Sequence, residues 1–251
     1  MTPEFLDIII PVYNEGANIH SVIAALKHKV RIPFRILICY DMEEDTTLAA
    51  IARLSPGECD ILLVKNPERG PHGAVRAGFA ASKAPAVLVY MADDDYNTGI
   101  IDDMVAKFRG GCDIVAASRF MPGGSMENCS SKTKETITRV AAFVLYRIAR
   151  VGVHDPTNAF RLFSRRVIET IEIESRHGFT FSIELLVKAR RLGWKVDQVP
   201  ARWIERMDKP SRFKLLPWLP RYFRWLLYAL ATAYLGLGPR TVRRRTNASA
   251  Q

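Results

Sequence analysis

The stretch "MADDDYN", residues 91–97, sets three carboxylates in a row directly after the apolar run "PAVLVY". Adjacent carboxylates repel one another, so the triplet calls for a cation to offset the cost. Asp93 and Asp95 stand two residues apart, and in an irregular turn both can face one divalent ion. A hard cation such as Mg²⁺ or Mn²⁺ prefers such oxygen ligands. The same carboxylates would also suit the first turn of a helix beginning near Thr98, where the helix dipole favours negative charge. The surrounding elements must decide between the two readings.

Length and composition narrow the setting. The chain has 251 residues, 48% of them hydrophobic, enough for one sizeable core. The net charge of +10 is concentrated at one end: residues 202–245 hold eleven Lys or Arg against two acids. There the basic residues are interleaved with Pro, Trp, Tyr and Leu, a composition suited to an anionic membrane surface and not to nucleic acid. The uninterrupted apolar run after Arg224 is 14 residues long, short of the ~20 a spanning helix needs. A helical segment lying on the membrane is expected, with packing as a core or dimer helix as the rival. The four cysteines show no C-x-x-C spacing and read as reduced thiols of a cytosolic chain. The N-terminus lacks the basic and apolar regions of a signal peptide.

Ile-, Val- and Leu-rich runs at 6–12, 34–40, 60–64, 86–91 and 112–118 read as buried strands. Helical stretches near 17–29, 45–54, 73–82 and 98–109 alternate with them, implying βαβ units and a mainly parallel sheet. Right-handed crossovers then bring the strand C-terminal ends to one edge, where open α/β sheets bind ligands. The polar stretches "PVYNEG" (11–16), "DMEED" (41–45), "NPERGPHGAVRAG" (66–78) and "ADDDYN" (92–97) all fall at that edge. Each alone is an ordinary turn; their succession is the signal.

That ordered set resembles the nucleotide-sugar half of an inverting family 2 glycosyltransferase with the GT-A fold. "DIVAASRF", "DPTNAFRLFSRRVIE" and "IELLVKARRLGWKVDQVPARWIER" are similar to the subgroup of dolichyl-phosphate mannosyltransferases and bacterial polyprenyl-phosphate glycosyltransferases. The resemblance implies an α/β fold with a mixed, mainly parallel sheet and helices on both faces. A C-terminal amphipathic helix would follow. Residues 1–214 would form the catalytic domain and 215–251 a membrane-associating helix with a basic tail. It further implies a UDP- or GDP-linked sugar as donor and a lipid phosphate or a glycan as acceptor, handled by a peripheral protein at the cytoplasmic membrane face.

Carried residue by residue, the resemblance makes Asp93 and Asp95 the Mg²⁺ or Mn²⁺ pair, while Asp94 holds donor sugar hydroxyls or orients its neighbours. Pro11, Tyr13, Asn14 and Glu15 would cradle the nucleotide, with Tyr13 on the base and Glu15 on the ribose. Asp41 would read the base edge, although Tyr40, Glu43 and Thr46 depart from the usual "DDxSxDGT". In "RGPHGAVRAG", Gly73 permits close approach and Arg69 supports the loop. Arg119 is placed near the acceptor or transferred sugar. Arg206 and Arg212 fall where basic residues hold phosphates, with Lys209 in place of a glycine. Glu184, opening an amphipathic helix, is either the base for a hydroxyl acceptor or a helix cap, and a lipid phosphate, already anionic, needs no base. His154 in "HDPTNAF", on the acceptor side, reads as a packed or solvated histidine. Two rivals to transfer onto a polyprenyl phosphate remain: a hydroxyl acceptor with Glu184 as base, and a non-catalytic nucleotide-sugar-binding protein.

Overall fold

The computed structural model describes residues 5–54, 59–129, 131–204 and 215–245, with the backbone alone at 134 and 215–219. Strands β1 (Leu6–Pro11), β2 (Phe34–Tyr40), β3 (Ile61–Lys65) and β4 (Ala86–Val89) run parallel. Helices α1 (Ile19–Lys29), α2 (Thr46–Ile51) and α3 (Pro71–Ala81) connect them. Beyond α4 (Ile101–Arg109) come β5 (Ile114–Ser118), the short β6 (Ser125–Glu127) and α5 (Lys132–Phe143), which continues as a π-helical turn over Val144–Ile148. β7 (Arg161–Ser164), α6 (Arg165–Thr170), α7 (Phe181–Arg191), β8 (Val196–Pro200), β9 (Arg202–Ile204) and α8 (Leu215–Tyr234) complete the order.

The seven-stranded sheet has the order β3-β2-β1-β4-β7-β5-β8, with β7 antiparallel to both neighbours. β1 is therefore flanked by β2 on one side and β4 on the other, the chain leaving it toward β2 and returning on the opposite side as β4. Crevices in open sheets form at such a switch point, outside the strand C-terminal ends. β1 is buried on both faces: Ile8 and Ile10 pack with α1 and α4, whereas Ile9 packs with α3 and α7. Gly78 lets α3 close on the sheet, since a Cβ there would sit 2.8 Å from Ile9. The one charge inside β1, Asp7, is paired with Arg35 at 3.0 Å and accepts from Ser82 Oγ at 2.5 Å, at the end of the strand away from the crevice.

The five expected strands and four expected helices are present, and the fold is GT-A-like as the sequence implied. Two features differ from expectation. β7, from "RLFS", enters the sheet between β4 and β5. α7 is not amphipathic: every position but Arg190 is buried, because α8 covers its outer side. Trp225 and Ala229 of α8 pack with Leu145, Ile183, Leu186 and Val187. Arg191 of α7 crosses to α8, lying 3.4 Å over the Tyr228 ring and donating to the Tyr228 carbonyl at 2.7 Å. The rival reading, a core helix, thus describes the inner face of α8, while Phe223, Leu227 and Tyr234 are exposed on it. Past α8 the chain returns to the body, where Arg245 N donates to the Thr170 carbonyl at 3.0 Å and Glu172 N to that of Arg243 at 3.0 Å.

Truncation after Leu216 is therefore expected to destabilise the catalytic body and not merely to remove an appendage. Trp225→Ala should cost about 3 kcal/mol through lost burial and the cavity left behind. A denaturant midpoint unchanged from wild type would show that α8 is dispensable to the fold.

Candidate active site

Asp93 is exposed and Asp95 half-buried at the end of β4, while Asp94 between them turns inward and is 7% exposed. Its Oδ1 accepts Asn97 N at 2.9 Å and its Oδ2 accepts Asn97 Nδ2 at 2.7 Å. Asn97 in turn bonds both backbone groups of Arg202, at 2.8 and 3.0 Å, and so ties the turn to β9. Burial pushes the Asp94 carboxyl up to about 6, against the two bonds from Asn97. Of the two roles expected for Asp94, the geometry serves orientation of its neighbours, since both oxygens accept from Asn97. Asp93 and Asp95 offer hard oxygens at the mouth of the crevice, the donor set that Mg²⁺ or Mn²⁺ takes.

The loop after β1 is laced to the loop after β2. Asn14, at φ 56°, donates its N–H to Asp45 Oδ2 at 3.0 Å and accepts Thr46 N at 3.2 Å. Glu15 N donates to Thr47 Oγ1 at 3.0 Å, and Glu15 Oε2 accepts Asn18 Nδ2 at 2.7 Å. Asp45 also caps α2 through Thr47 N at 2.8 Å. Tyr13 is 48% exposed beside this lattice, and Pro11, which ends β1, is half-buried.

Asp41 is drawn toward the β3–α3 loop: Oδ1 accepts Asn66 Nδ2 at 2.6 Å and Oδ2 accepts Gly70 N at 2.8 Å. Asn66 also accepts Glu68 N at 2.9 Å, so the loop is held by Asp41 and Asn66 while Arg69, expected to support it, is exposed. Gly73 is needed for that packing, since a Cβ there would lie 2.6 Å from Asn66 Oδ1.

On the far side of the sheet edge, Arg119 at the end of β5 grips Asp155 with two bonds, 2.6 and 2.9 Å, and reaches Thr157 at 3.1 Å. Burial would raise the Asp155 carboxyl, but the Arg119 charge overrides it and holds it below the ordinary carboxylate range. Arg161, fully buried in β7, donates to the carbonyls of Ser182, Asn158 and Pro156, the last two at 3.0 and 3.3 Å. Desolvation lowers its pKa to about 10, which leaves it charged at neutral pH. Tyr222 of α8 comes close enough to feel Arg119, and burial pushes its phenol up to about 12 against that pull.

Glu184 departs from expectation most plainly. It is fully buried, its Oε1 accepting Glu174 N at 2.6 Å and its Oε2 accepting Ser175 N at 2.8 Å. Lys188, equally buried, pairs with it at 2.6 Å and with Glu174 at 2.8 Å. A carboxylate so enclosed cannot take a proton from an acceptor, and the expectation of a base is corrected: Glu184 closes the 172–175 loop onto α7. Arg206 and Arg212 lie outside the described residues. Sequence reading assigned no role to Asn66, Asn97, Asp45, Asp155 and Arg161, although Asp155 and Arg161 sit within the stretch "DPTNAFR" and the other three within the turn motifs themselves.

Because Asp94 is harder to ionise folded than unfolded, the stability it gives is fully present below its unfolded pKa near 4 and is lost as pH rises through about 6. Metal-free wild type should lose up to about 3 kcal/mol over that interval. Asp94→Asn should flatten that step, and an identical pH dependence in the two proteins would refute the burial account.

Residues 7–172 match the family described as Glycosyl transferase family 2. A polyprenol monophosphomannose synthase of Mycolicibacterium smegmatis is 30% identical over 212 residues, covering 79% of this chain and 77% of that protein. A dolichol-phosphate mannosyltransferase of Pyrococcus furiosus is 25% identical over 230 residues, covering 88% of this chain and 64% of its own length. Among solved structures, glucosyl-3-phosphoglycerate synthase from Mycobacterium tuberculosis, crystallised with Mn²⁺, UDP and phosphoglyceric acid, superposes with a TM-score of 0.63 at 17% identity, covering 97% of this chain and 86% of that one. The chain belongs to glycosyl transferase family 2 and is a glycosyltransferase.

Proposed function

We propose that the enzyme moves one sugar, with inversion, from a nucleotide diphosphate sugar to a polyprenyl phosphate at the cytoplasmic face of a membrane. The observation that carries this reading is the enclosure of Glu184 and Asp155. A hydroxyl acceptor needs a base, and neither carboxylate is available to act as one. A phosphate monoester is already ionised, so positioning and charge stabilisation suffice. The two mannosyltransferase relatives point to the same acceptor class.

In this reading the acceptor phosphate oxygen attacks the anomeric carbon as the bond to the nucleotide's outer phosphate breaks. Asp93 and Asp95 would hold a divalent cation, which would supply neutralisation of the departing diphosphate. Among the described residues no cluster of three or more His, Cys, Asp or Glu could hold a metal alone. Asp94 and Asn97 set the direction of the pair. The loop containing Tyr13, Asn14 and Glu15 faces the nucleoside, and Asp41 with Gly73 and Arg69 shapes its second wall. Arg119, fixed by Asp155, orients the acceptor side, and Arg206 and Arg212 contact phosphate.

Residues 1–214 carry the chemistry and 215–251 the membrane contact. No helix among the described residues is long and apolar enough to cross a membrane. Phe223, Leu227, Leu235 and Leu237 are exposed toward the C-terminal end, with Arg221, Arg224 and Arg240 among them, a pairing suited to anionic lipid.

Asp93→Asn and Asp95→Asn should each abolish metal-dependent transfer while leaving the melting temperature near wild type, because neither side chain is in the core. Full activity in both variants would remove the metal assignment. Thermal shift against UDP-, GDP-, CDP- and dTDP-sugars with and without Mn²⁺ should show one nucleotide class stabilising, by about 2.7 kcal/mol at 100 times its Kd. The double substitution Phe223→Ser with Leu227→Ser should weaken binding to anionic vesicles by about 2 kcal/mol per side chain. Equal vesicle binding by this variant and wild type would exclude α8 as the contact.

A further inference from the structure

A cavity of about 260 Å³ opens between α5, its π-helical turn and the end of β5, lined by Phe120, Arg139, Ala142, Phe143, Tyr146 and His154. Its walls are aromatic and its polar groups are basic. The guanidinium of Arg139 lies 5.2 Å over the Phe120 ring, and Arg119 lies 5.1 Å from the same ring. The cavity therefore adjoins the Arg119–Asp155 pair, and His154 is the residue next to Asp155 in the chain.

The neutral ring of His154 is held in one tautomer. Its backbone N–H donates to Gln198 Oε1 at 2.8 Å, which fixes the Gln198 amide with Nε2 as the remaining donor. That Nε2 meets His154 Nδ1 at 2.5 Å. Nδ1 is thus the acceptor, and the neutral ring must carry its proton on Nε2. The ring is stacked on Tyr146 with centroids 3.9 Å apart, so its plane is fixed as well. A half-buried imidazole with a dictated tautomer, on the wall of an aromatic cavity and near two arginines, is built to give one hydrogen bond to an anion with an apolar body.

We infer that His154 is an acceptor-recognition residue whose Nε2–H donates to an oxygen of the acceptor's monophosphate, with Phe120, Phe143 and Tyr146 taking the first part of its hydrocarbon chain. The inference rests on the lipid-phosphate reading of the function. Gln198 and Tyr146 act through His154 as positioning residues. The charge of Arg139, balanced in part by Glu135 at 2.9 Å, favours the same anion.

The full-length chain, with ¹⁵N-labelled histidine, tests this directly. In the free protein His154 should show an unprotonated Nδ1 and a protonated Nε2. Farnesyl phosphate should shift Nε2, farnesol should not, and inorganic phosphate should do so only at much higher concentration. With the nucleotide sugar that the thermal-shift comparison selects, His154→Leu should raise the KM for farnesyl phosphate by about tenfold. The KM for the donor should stay unchanged, and His154→Gln, which keeps an N–H, should recover most of the loss. Gln198→Leu should move the acceptor KM in the same direction by less. Transfer to farnesyl phosphate with an unchanged acceptor KM in His154→Leu would overturn the inference and leave the proposed function standing. If no polyprenyl phosphate is used as acceptor the proposed function fails, and a His154 Nε2 signal indifferent to farnesyl phosphate would then overturn the inference as well.

Discussion

Everything at the active edge depends on β1 lying between β2 and β4. Because the chain leaves the strand toward one side and later returns on the other, no crossover covers the ends of these three strands. The gap is bounded by loops that must satisfy their own backbone groups while staying open to a ligand. Asp45, Asn66 and Asn97 meet that demand with side-chain bonds to neighbouring backbone. Asp45 ties its loop to the one after β1, Asn97 ties its turn to β9, and Asn66 braces its own loop while meeting the Asp41 side chain, so these segments form one rim.

The rim sorts its carboxylates by direction. Asp94, Asp45 and Asp155 turn inward and are buried against amide, hydroxyl or guanidinium partners. Asp93 stays on the outside and Asp95 only half-buried. Three consecutive residues of one kind thus stand in two different settings. Glu184 belongs to the inner class too, neutralised by Lys188 and capped by two amides.

Strand and helix positions were legible because apolar runs and turn residues report burial and chain reversal directly. The edge loops were legible as a set for the same reason. What could not be read was which way a polar side chain points. Glu184 opens α7 as a base or a cap would, and only the packing of Lys188 and the 172–175 loop around it decides. Nor did the pattern of α7 reveal its burial, since Lys188 and Arg191 look like a solvated face until Glu174 and Tyr228 are brought to meet them. β7 was missed because four residues following the "DPTNA" turn give too short a period to separate from loop.

Arg161 limits how this enzyme can diversify. Its guanidinium is enclosed by carbonyls from residues 155–158 and from the start of α7, so any rearrangement of that loop's backbone would strand a permanent charge in the interior. The path of the main chain beside Arg119 is consequently frozen. Variation beside this segment is then confined to exchanging side chains on a fixed frame and does not extend to remodelling the loop that carries them.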